Sequence, residues 1–371
     1  MPARTAEDER ACWVVLNMAA GIGPVRFQRL LEVCGGARGA WQATDLELAA
    51  AGLERRTLES LRHLRQRTSP EAMARHLRRL GIQTMTLLDD EYPDSLRQVA
   101  DPPPVIFVRG RLLPGDHHAV ALVGTRRATT YGRSVAERLA RDLAGAGVTV
   151  VSGLAKGIDT AAHQAALQAG GRTIAVLGNG LDQVYPPENT ALARQVVERD
   201  AGAVVSEFAP GVPPDAVNFP RRNRLISGLS LATVIVEAGE RSGALITADF
   251  ALEQGRDVLV VPGSIFSPLS VGPHQLLKQG ATPVTCAEDI LETLGVQPLE
   301  RTANGEALTG NLPGLEPQEA SVCEALGNEA RHVDELARAL RMSAGTVAAT
   351  LAMLELKGLA RQVGSMLYTR G

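Results

Sequence analysis

The sequence predicts an α/β fold: a Rossmann-like doubly wound parallel sheet, preceded by a helical module and followed by a winged-helix module. From residue 119 onward, short β-branched runs alternate with amphipathic helical stretches. The first 80 residues instead show helical patterns broken by glycines, and the last part shows three short helices and a hairpin. Continuous apolar strands separated by helices are typical of a parallel sheet covered on both faces.

Residues 1–80 predict a helical SAM-like or helix-hairpin-helix module. The sequence Gly21-Ile22-Gly23-Pro24, followed by apolar residues at helical spacing, resembles the hairpin of such a module. In these hairpins glycine amides can contact a DNA phosphate. The alternative is an ordinary helix N-terminus with Pro24 in its first turn.

Residues 81–297 predict the extended Rossmann-like domain. Two strands are expected first, over residues 84–88 and 105–110. The runs that predict the parallel strands are Ala119–Val123, Val148–Val151, Thr173–Leu177, Ala203–Glu207, Ala232–Glu237 and Val258–Val261. The helical patterns between them cover Tyr131–Ala144, Thr160–Ala169, Glu188–Glu198 and Leu245–Glu253.

Residues 298–314 predict a linker, because they are rich in Pro, Gly, Thr and Asn and poor in apolar residues. Residues 315–371 predict the winged helix, with helices over 316–326, 333–340 and 343–357 and a hairpin over 360–368. Ser343 is a plausible N-cap for the third helix. The first residues of that helix carry almost no charge, whereas a recognition helix in the major groove of DNA needs polar or charged side chains. We therefore expect the winged helix to contact a protein and not DNA.

Composition limits the class of protein. The net charge is −3, so any binding of anions must be local. No apolar run reaches the roughly 20 residues that cross a bilayer, and the N-terminus is charged and lacks a signal-peptide core. The four scattered cysteines form no CxxC pair and predict free thiols in a reducing cytoplasm, with neither a disulfide frame nor a metal site.

The most informative segment is residues 219–227, Phe-Pro-Arg-Arg-Asn-Arg-Leu-Ile-Ser. Arg221, Arg222, Asn223 and Arg224 follow Phe219 and a proline turn, ahead of an apolar run that predicts the start of a helix. Arginine has a planar fork that matches phosphate geometry, and a helix N-terminus adds free amides. The segment therefore predicts a polyanion site. The alternative is that the arginines pair with neighbouring carboxylates.

Other loops follow the predicted strands, and in a parallel sheet these loops share the edge where ligands bind. Only one glycine of a G-x-G-x-x-G fingerprint is present after the first strand, so a dinucleotide site is not predicted. Lys156 adds a cation at the tip of a glycine-rich loop, and the alternative is that it is a solvated surface charge. Tyr185, in the next loop, is a candidate to stack on a ligand ring, and the alternative is that this loop is an irregular connection. The residues of these loops with groups suited to phosphate are Thr125, Arg126, Arg127, Gly153, Lys156, Gly157, Ser242 and Gly243.

Six motifs together resemble the DNA-processing protein A (DprA/Smf) family. They are G-T-R-R-x-T-x-Y-G, S-G-L-A-x-G-I-D, G-x-G-L-D-x-x-Y-P-x-x-N, F-P-R-R-N-R-L-I-S-x-L-S, E-A-x-x-x-S-G-x-L-I-T-A and V-P-G-S, in the family's order within residues 80–295. The resemblance implies a cytoplasmic protein that binds and protects incoming single-stranded DNA and loads the RecA recombinase during natural transformation and recombination. It also implies a homodimer formed through the Rossmann domain. We expect no cofactor.

The resemblance implies backbone or base contacts to DNA at six matching positions: Arg126, Lys156, Arg221, Arg222, Asn223 and Arg224. It also implies that the backbone amides at Gly153, Gly157 and Gly243 approach the DNA closely. The loop residues Thr125, Arg127, Phe219 and Ser242 complete the set of predicted DNA-binding residues.

The rival hypothesis is a nucleotide-binding enzyme of the nucleoside-monophosphate phosphoribohydrolase type. Such proteins carry P-G-G-x-G-T-x-x-E, whereas Pro262-Gly263-Ser264 lacks the second glycine and the glutamate that would act as acid or base. The sequence contains no evident cluster of carboxylates that would hold two metal ions, so a two-metal nuclease is not predicted. Asp159 and His163 share a helical face without an evident third ligand, which favours a helix cap and a surface histidine over a metal site. We therefore expect no catalytic residues, no metal and no enzyme activity.

Overall fold

A nine-stranded sheet organises the first of two compact units, residues 1–299 and 300–371. The computed structural model describes residues 2–295, 317–326, 331–356, 359–364 and 366–370. The sheet order is β1-β2-β6-β5-β4-β3-β7-β8-β9, and all pairs from β6 to β9 are parallel, while β1 and β2 add an antiparallel edge. The strands are β1 (Gln83–Thr86), β2 (Val105–Gly110), β3 (Ala119–Val123), β4 (Thr149–Ser152), β5 (Thr173–Val176), β6 (Gly202–Ser206), β7 (Ala232–Ile235), β8 (Asp257–Val260) and β9 (Thr282–Pro283).

Helices connect these strands in the doubly wound manner, which confirms the predicted fold class. None of the described helices is long and apolar enough to cross a bilayer. The helices of this unit are α1 (Pro2–Asn17), α2 (Pro24–Cys34), α3 (Ala37–Gln42), α4 (Asp45–Ala50), α5 (Arg55–Arg67), α6 (Pro70–Arg79), α7 (Asp94–Arg97), α8 (Thr130–Gly145), α9 (Ile158–Gln168), α10 (Thr190–Glu198), α11 (Asn218–Gly228), α12 (Gly243–Glu253), α13 (Val271–Lys278) and α14 (Ala287–Thr293).

Both faces of the sheet are buried, because successive side chains of β3 belong to apolar clusters on opposite faces. Ala121 and Val123 belong to one apolar cluster, together with Leu225 of α11. Leu122 belongs to a second cluster, together with Leu139 of α8. Because successive side chains of a strand point to opposite faces, a strand that is apolar throughout requires helices on both sides.

The N-terminal helices pack on the sheet within the same unit. Trp13 and Leu16 of α1 share an apolar cluster with Phe107 of β2 and Leu177. Six helices precede the first strand, in the region where a helical module is predicted. The proposed division at residue 80 remains a prediction, because this packing joins the helices to the sheet.

The connectivity reverses between β3 and β7, which are neighbours in the sheet although three strands, β4 to β6, lie between them in the chain. The loops after these two strands consequently diverge and leave a crevice at the carboxyl edge. This is the position where open α/β sheets bind their ligands.

The second unit has the winged-helix fold, as predicted. Helices α15 (Pro317–Ala325), α16 (Val333–Leu340) and α17 (Ala344–Leu356) enclose an apolar cluster. Its three strands, in the order β10-β12-β11, are β10 (Arg331–His332), β11 (Ala360–Gly364) and β12 (Leu367–Arg370). The Oγ of Ser343 accepts a hydrogen bond from Thr346 N at 3.1 Å and so caps α17, as expected. The predicted linker over 298–314 lies outside the described residues.

Candidate nucleic-acid interface

A crevice of about 730 Å³ opens between the loops that follow β3 and β7 and the first half of α11. A smaller recess of about 110 Å³ continues from it and shares Arg126, Phe219 and Arg222. Of the residues that the sequence predicts, those lining one or both spaces are Thr125, Arg126, Arg127, Gly153, Lys156, Phe219, Arg222, Asn223, Ser242 and Gly243. Gly157, Arg221 and Arg224 line neither.

The loop after β3 is held in place by hydrogen bonds in which the guanidinium groups of Arg126 and Arg127 take no part. Thr125 N donates to Glu237 O at 2.7 Å, and the buried carboxylate of Glu237 accepts from Thr129 N at 2.9 Å and from Thr129 Oγ1 at 2.5 Å. The same Thr129 hydroxyl caps α8 by accepting from Gly132 N. Arg126 and Arg127 are exposed, and neither forms an ion pair within the described part of the chain.

An aromatic stack lies between the crevice and the recess. The Cζ of Arg126 is 5.4 Å from the centre of the Phe219 ring, and that ring lies 5.5 Å from the ring of Tyr185. Gly178 makes room for Phe219, since a Cβ there would come within 2.9 Å of Cδ1. Cationic and aromatic groups at this separation attract one another and offer flat surfaces to a ligand ring.

Arg222 forms a buried cationic wall of both spaces. It is 5% exposed, and its Nη1 donates to Gly153 O at 2.7 Å and to Val176 O. Gly153 packs directly against the guanidinium, because a Cβ there would lie 2.6 Å from Nη2. Burial lowers the pKa of Arg222 to about 10, so the side chain remains charged at neutral pH. Its hydrogen-bond partners, the carbonyl oxygens of Gly153 and Val176 and the amide oxygen of Asn223, are all neutral. The carboxylate of Asp159, which also lines the crevice, acts on Arg222 through its charge without a direct ion pair between the two described side chains.

The turn before α9 corrects the expectation that Asp159 caps that helix. Gly157 occupies the cap position with φ +82°, and a Cβ there would meet Thr125 O at 2.3 Å. The Asp159 carboxylate instead accepts from Gly153 N at 3.1 Å and Ala155 N at 3.3 Å. Burial raises the pKa of Asp159, and the positive charge of Arg222 acts against this rise. Gly157 thus shapes the loop without lining the crevice.

His163 is buried, which corrects its interpretation as a surface histidine. Its Nδ1 lies 2.6 Å from Thr173 Oγ1, whose hydroxyl donates to Val150 O at 2.7 Å, so Nδ1 is the protonated nitrogen. Burial, and secondly the charge of Arg222, lower the pKa of His163 to about 3. No group of three or more potential metal ligands occurs among the described residues.

Arg221 and Arg224 correct the expectation that three arginines converge on one ligand. Helix α11 begins at Asn218, one residue before Phe219. The arginines therefore lie inside the helix, where each residue turns the side chain by about 100°. Arg221 lies over the ring of Phe208 at 5.6 Å, away from the crevice.

Arg224 is neutralised by carboxylates. It forms an ion pair with the buried Glu207 and a longer one with Asp101 at 3.6 Å, and its Nη1 donates to Asp101 O at 2.8 Å. Burial raises the pKa of Glu207, and the neighbouring Arg224 acts against that rise. For Arg224 the structure therefore shows the alternative considered above, in which the arginine pairs with neighbouring carboxylates.

Lys156 is also paired, but at the surface. Its Nζ donates to Glu188, and both side chains are more than half exposed. This pair lies at the rim of the recess. Exposed ion pairs contribute little to stability, so a phosphate can replace the carboxylate at small cost.

The far wall is formed by α11 and the start of α12. Asn223 donates through Nδ2 to Gly243 O at 3.1 Å, and Ser242 Oγ accepts from Ala244 N at 3.3 Å as the cap of α12. A Cβ on Gly243 would meet nothing within 4 Å, so its surface faces open space. The crevice thus combines fixed cations, a helix N-terminus and flat rings, which together suit a chain of phosphates that carries bases.

Comparison with known proteins identifies the family. The family model "DNA recombination-mediator protein A" matches residues 83–295, and the model "DprA winged helix domain" matches residues 306–365. Protein Smf of Synechocystis is 33% identical over 398 residues, which cover 98% of this chain and 100% of that protein. The chain belongs to the DprA/Smf family.

Two solved structures of DprA proteins have the same fold. DNA processing protein A from Streptococcus pneumoniae has a TM-score of 0.65 at 36% identity, over 76% of this chain and 97% of its own. A structure described as showing the single-stranded DNA binding mode of DprA from Helicobacter pylori has a TM-score of 0.51 at 31% identity, over 57% of this chain and 95% of its own. The DNA processing protein DprA of Bacillus subtilis is 42% identical over 61% of this chain and 75% of its own length.

Sequence reasoning missed part of the site in this DprA/Smf protein. Pro214 and Ala216 form one wall of the crevice, and Glu237 anchors the loop that carries Arg126. The proline-rich segment before α11 could have predicted the wall formed by Pro214 and Ala216. Glu237 could have been predicted to anchor a loop, because it follows a buried strand and a buried carboxylate needs hydrogen-bond donors.

Proposed function

We propose that this protein binds single-stranded DNA in the crevice as its main activity and acts in the cytoplasm. One observation carries the proposal: the charged Arg222 is held by neutral carbonyls beside the Arg126–Phe219–Tyr185 stack. Phosphates have cations to contact, and bases have rings on which to stack. The related protein from Helicobacter pylori, whose structure is described in terms of single-stranded DNA binding, supports the same assignment.

Selectivity for single strands follows from the shape of the site. The aromatic groups lie inside a crevice and a narrower recess, which a paired base cannot reach while it remains in a duplex. Unpaired bases can leave the stack and enter. Because a few cations contact the phosphates, affinity should fall as salt rises, with a slope set by the number of contacts.

We also infer that the protein protects incoming DNA and delivers it to the RecA recombinase in transformation and recombination. The description of the family as a recombination mediator supports this role. We further propose a homodimer formed through the Rossmann domain, which would place two crevices on one strand and raise the effective affinity. Sedimentation at micromolar concentration tests the dimer, and a monomer there would contradict it.

We propose binding without catalysis. Glu237, a carboxylate at the carboxyl edge, is buried and occupied by Thr129. The Pro262-Gly263-Ser264 turn supplies no glutamate of the kind that the phosphoribohydrolase motif requires. Incubation with nucleoside monophosphates should release no free base above the buffer blank, and time-dependent release would overturn this part of the proposal.

The decisive experiment compares single-stranded and duplex DNA of equal length with the full chain. We expect oligo-dT to bind at least tenfold more tightly than the duplex, and binding to weaken as salt increases. A double variant, Arg126→Ala with Phe219→Ala, should lose most of this binding. The control is Arg141→Ala, which removes an exposed arginine from the later half of α8. Equal affinity for duplex, or an unaffected double variant, would refute the proposal.

A further inference from the structure

The turn after β8 exposes two large apolar side chains that the crevice does not use. Ile265 is 80% exposed and Phe266 is 90% exposed. Neither lines the crevice or the recess. The two residues are adjacent in the chain and together form one exposed apolar pair.

This turn is built to hold its shape. Phe266 N donates to Ser264 Oγ at 3.3 Å, and Ser267 N donates to Ser264 O at 3.0 Å. Behind them His274 Nε2 lies 3.0 Å from Gly263 O. A Cβ on Gly263 would lie 2.2 Å from Ser270 Oγ, so the backbone packs tightly at the base of the turn. The Phe266 ring is therefore presented by an ordered turn.

The turn is continuous with the rim of the crevice. Tyr131, in the first turn of α8, donates its hydroxyl to Pro262 O at 3.0 Å. The loop after β7, which leads to Ser242, is bonded to the same segment through Ala238 N and Leu269 O at 2.8 Å. Since β8 lies beside β7 in the sheet, its turn is at the same carboxyl edge.

Two exposed cations lie on the neighbouring loops of the same carboxyl edge. Arg127 lines the crevice and is exposed, and Arg241 is exposed on the loop after β7. Within the described chain neither side chain forms an ion pair. Both side chains are available to the phosphates of a strand that leaves the crevice at this edge.

We propose that Phe266 is a second stacking site, which binds an unpaired nucleobase of the strand held in the crevice. The proposal rests on the single-stranded DNA binding proposed above. A second copy of the chain is the less suitable occupant. A stable interface buries about 800 Å² on each partner, whereas Ile265 and Phe266 are flanked by the polar Ser264 and Ser267. One exposed ring, with Ile265 beside it and a serine on either side of the pair, instead suits a single base.

Oligonucleotide length separates this site from the crevice. Phe266→Ala should weaken binding of a dT oligomer of about twenty nucleotides by about fivefold or more, because loss of one base–aromatic contact has effects of this size. A dT oligomer of about four nucleotides, which fills the crevice alone, should bind the variant as it binds the unaltered protein. The control is Leu46→Ala, which removes an apolar side chain that is 84% exposed in α4.

A second variant reports on stacking directly. In Phe266→Trp the new indole should be quenched when the long oligomer binds, beyond the change seen for the unaltered chain, and affinity should be retained. Equal affinity of Phe266→Ala for the long oligomer, or absence of added quenching, would overturn the proposal. So would equal losses for both lengths, or a lower sedimenting mass for Phe266→Ala. Failure of the unaltered protein to bind any dT oligomer would instead refute the proposed function itself.

Discussion

Arg222 and Arg224 lie two residues apart on α11, yet their surroundings differ completely. Arg222 donates to the carbonyl oxygens of Gly153 and Val176 and borders the crevice. Arg224 is bound to Glu207 and Asp101 on another side of the helix. Both side chains are about 95% buried, at 5% and 6% exposure. Burial alone therefore does not distinguish a ligand-binding arginine from a structural one.

The nature of the partner distinguishes them. A carbonyl orients a guanidinium without cancelling its charge, whereas a carboxylate cancels it. Arg222 accordingly faces the crevice without a direct ion pair, although the Asp159 carboxylate acts on it through its charge. Arg224 instead ties α11 to the loop after β6 and to the connector before β2. The two arginines should thus respond to mutation in opposite ways, one in binding and the other in stability.

The largest effect is expected at Arg224. Arg224→Ala should lower the free energy of unfolding by about 3–5 kcal/mol, because it leaves the Glu207 carboxylate buried without its partner. Urea unfolding measures this loss. The folded fraction should bind oligo-dT within about twofold of the unaltered protein. Replacing both partners, as Arg224→Met with Glu207→Leu, should restore most of the stability; weakened binding with full stability would show that Arg224 serves the ligand.

The pH dependence of the free energy of unfolding tests the burial of His163, whose pKa is also lowered by the charge of Arg222. The pKa of His163 falls from 6.5 to about 3 on folding. Between these values the unfolded chain holds a proton that the folded chain does not, so the free energy of unfolding should decrease as pH falls below about 6.5, by up to about 1.4 kcal/mol per pH unit. His163→Gln should remove this contribution, seen as a flatter difference curve in urea unfolding. His63→Gln, at an exposed position in α5, is the matched control substitution.

At Arg126 the effect should be on binding alone. Arg126→Ala removes an exposed guanidinium from the Phe219 ring and should weaken oligo-dT binding by about tenfold, or about 1.4 kcal/mol. The slope of log affinity against log salt should fall by about one unit. Unfolding should be unaffected to within about 0.5 kcal/mol. A large loss of stability in Arg126→Ala would contradict the division between binding and structural arginines.

The smallest effect is expected at the rim of the recess, where Lys156 is paired as Arg224 is, but in solvent. Glu188→Gln should free Lys156 for phosphate and raise oligo-dT affinity by about two- to threefold at low salt, since an exposed pair is weak. The gain should disappear in high salt, where such charges are screened. Glu198→Gln, at an exposed pair at the other end of α10, is the matched control. A decrease in affinity would show that Glu188 positions Lys156 for the ligand.

Much of the fold followed from local patterns. The run Ala119–Val123 predicted β3 with its observed ends, and the other five runs differ from their strands by one or two residues at one or both ends. These predictions succeed because a strand buried on both faces must be apolar throughout, whatever its neighbours are. The edge on which the loops meet was equally predictable, since all parallel strands end on the same side.

The layered fold, the family and the set of loops that build the crevice thus followed from the order of the residues alone. Which charges face the crevice depends on how the elements pack. A helix that starts at Asn218 sends neighbouring arginines in different directions, and carboxylates distant in the chain, Glu207 and Glu188, take two of the predicted cations. Asp159 and His163 were buried by the same packing. Local sequence sets the identity of a charge, but its direction and its partner depend on which elements pack against it.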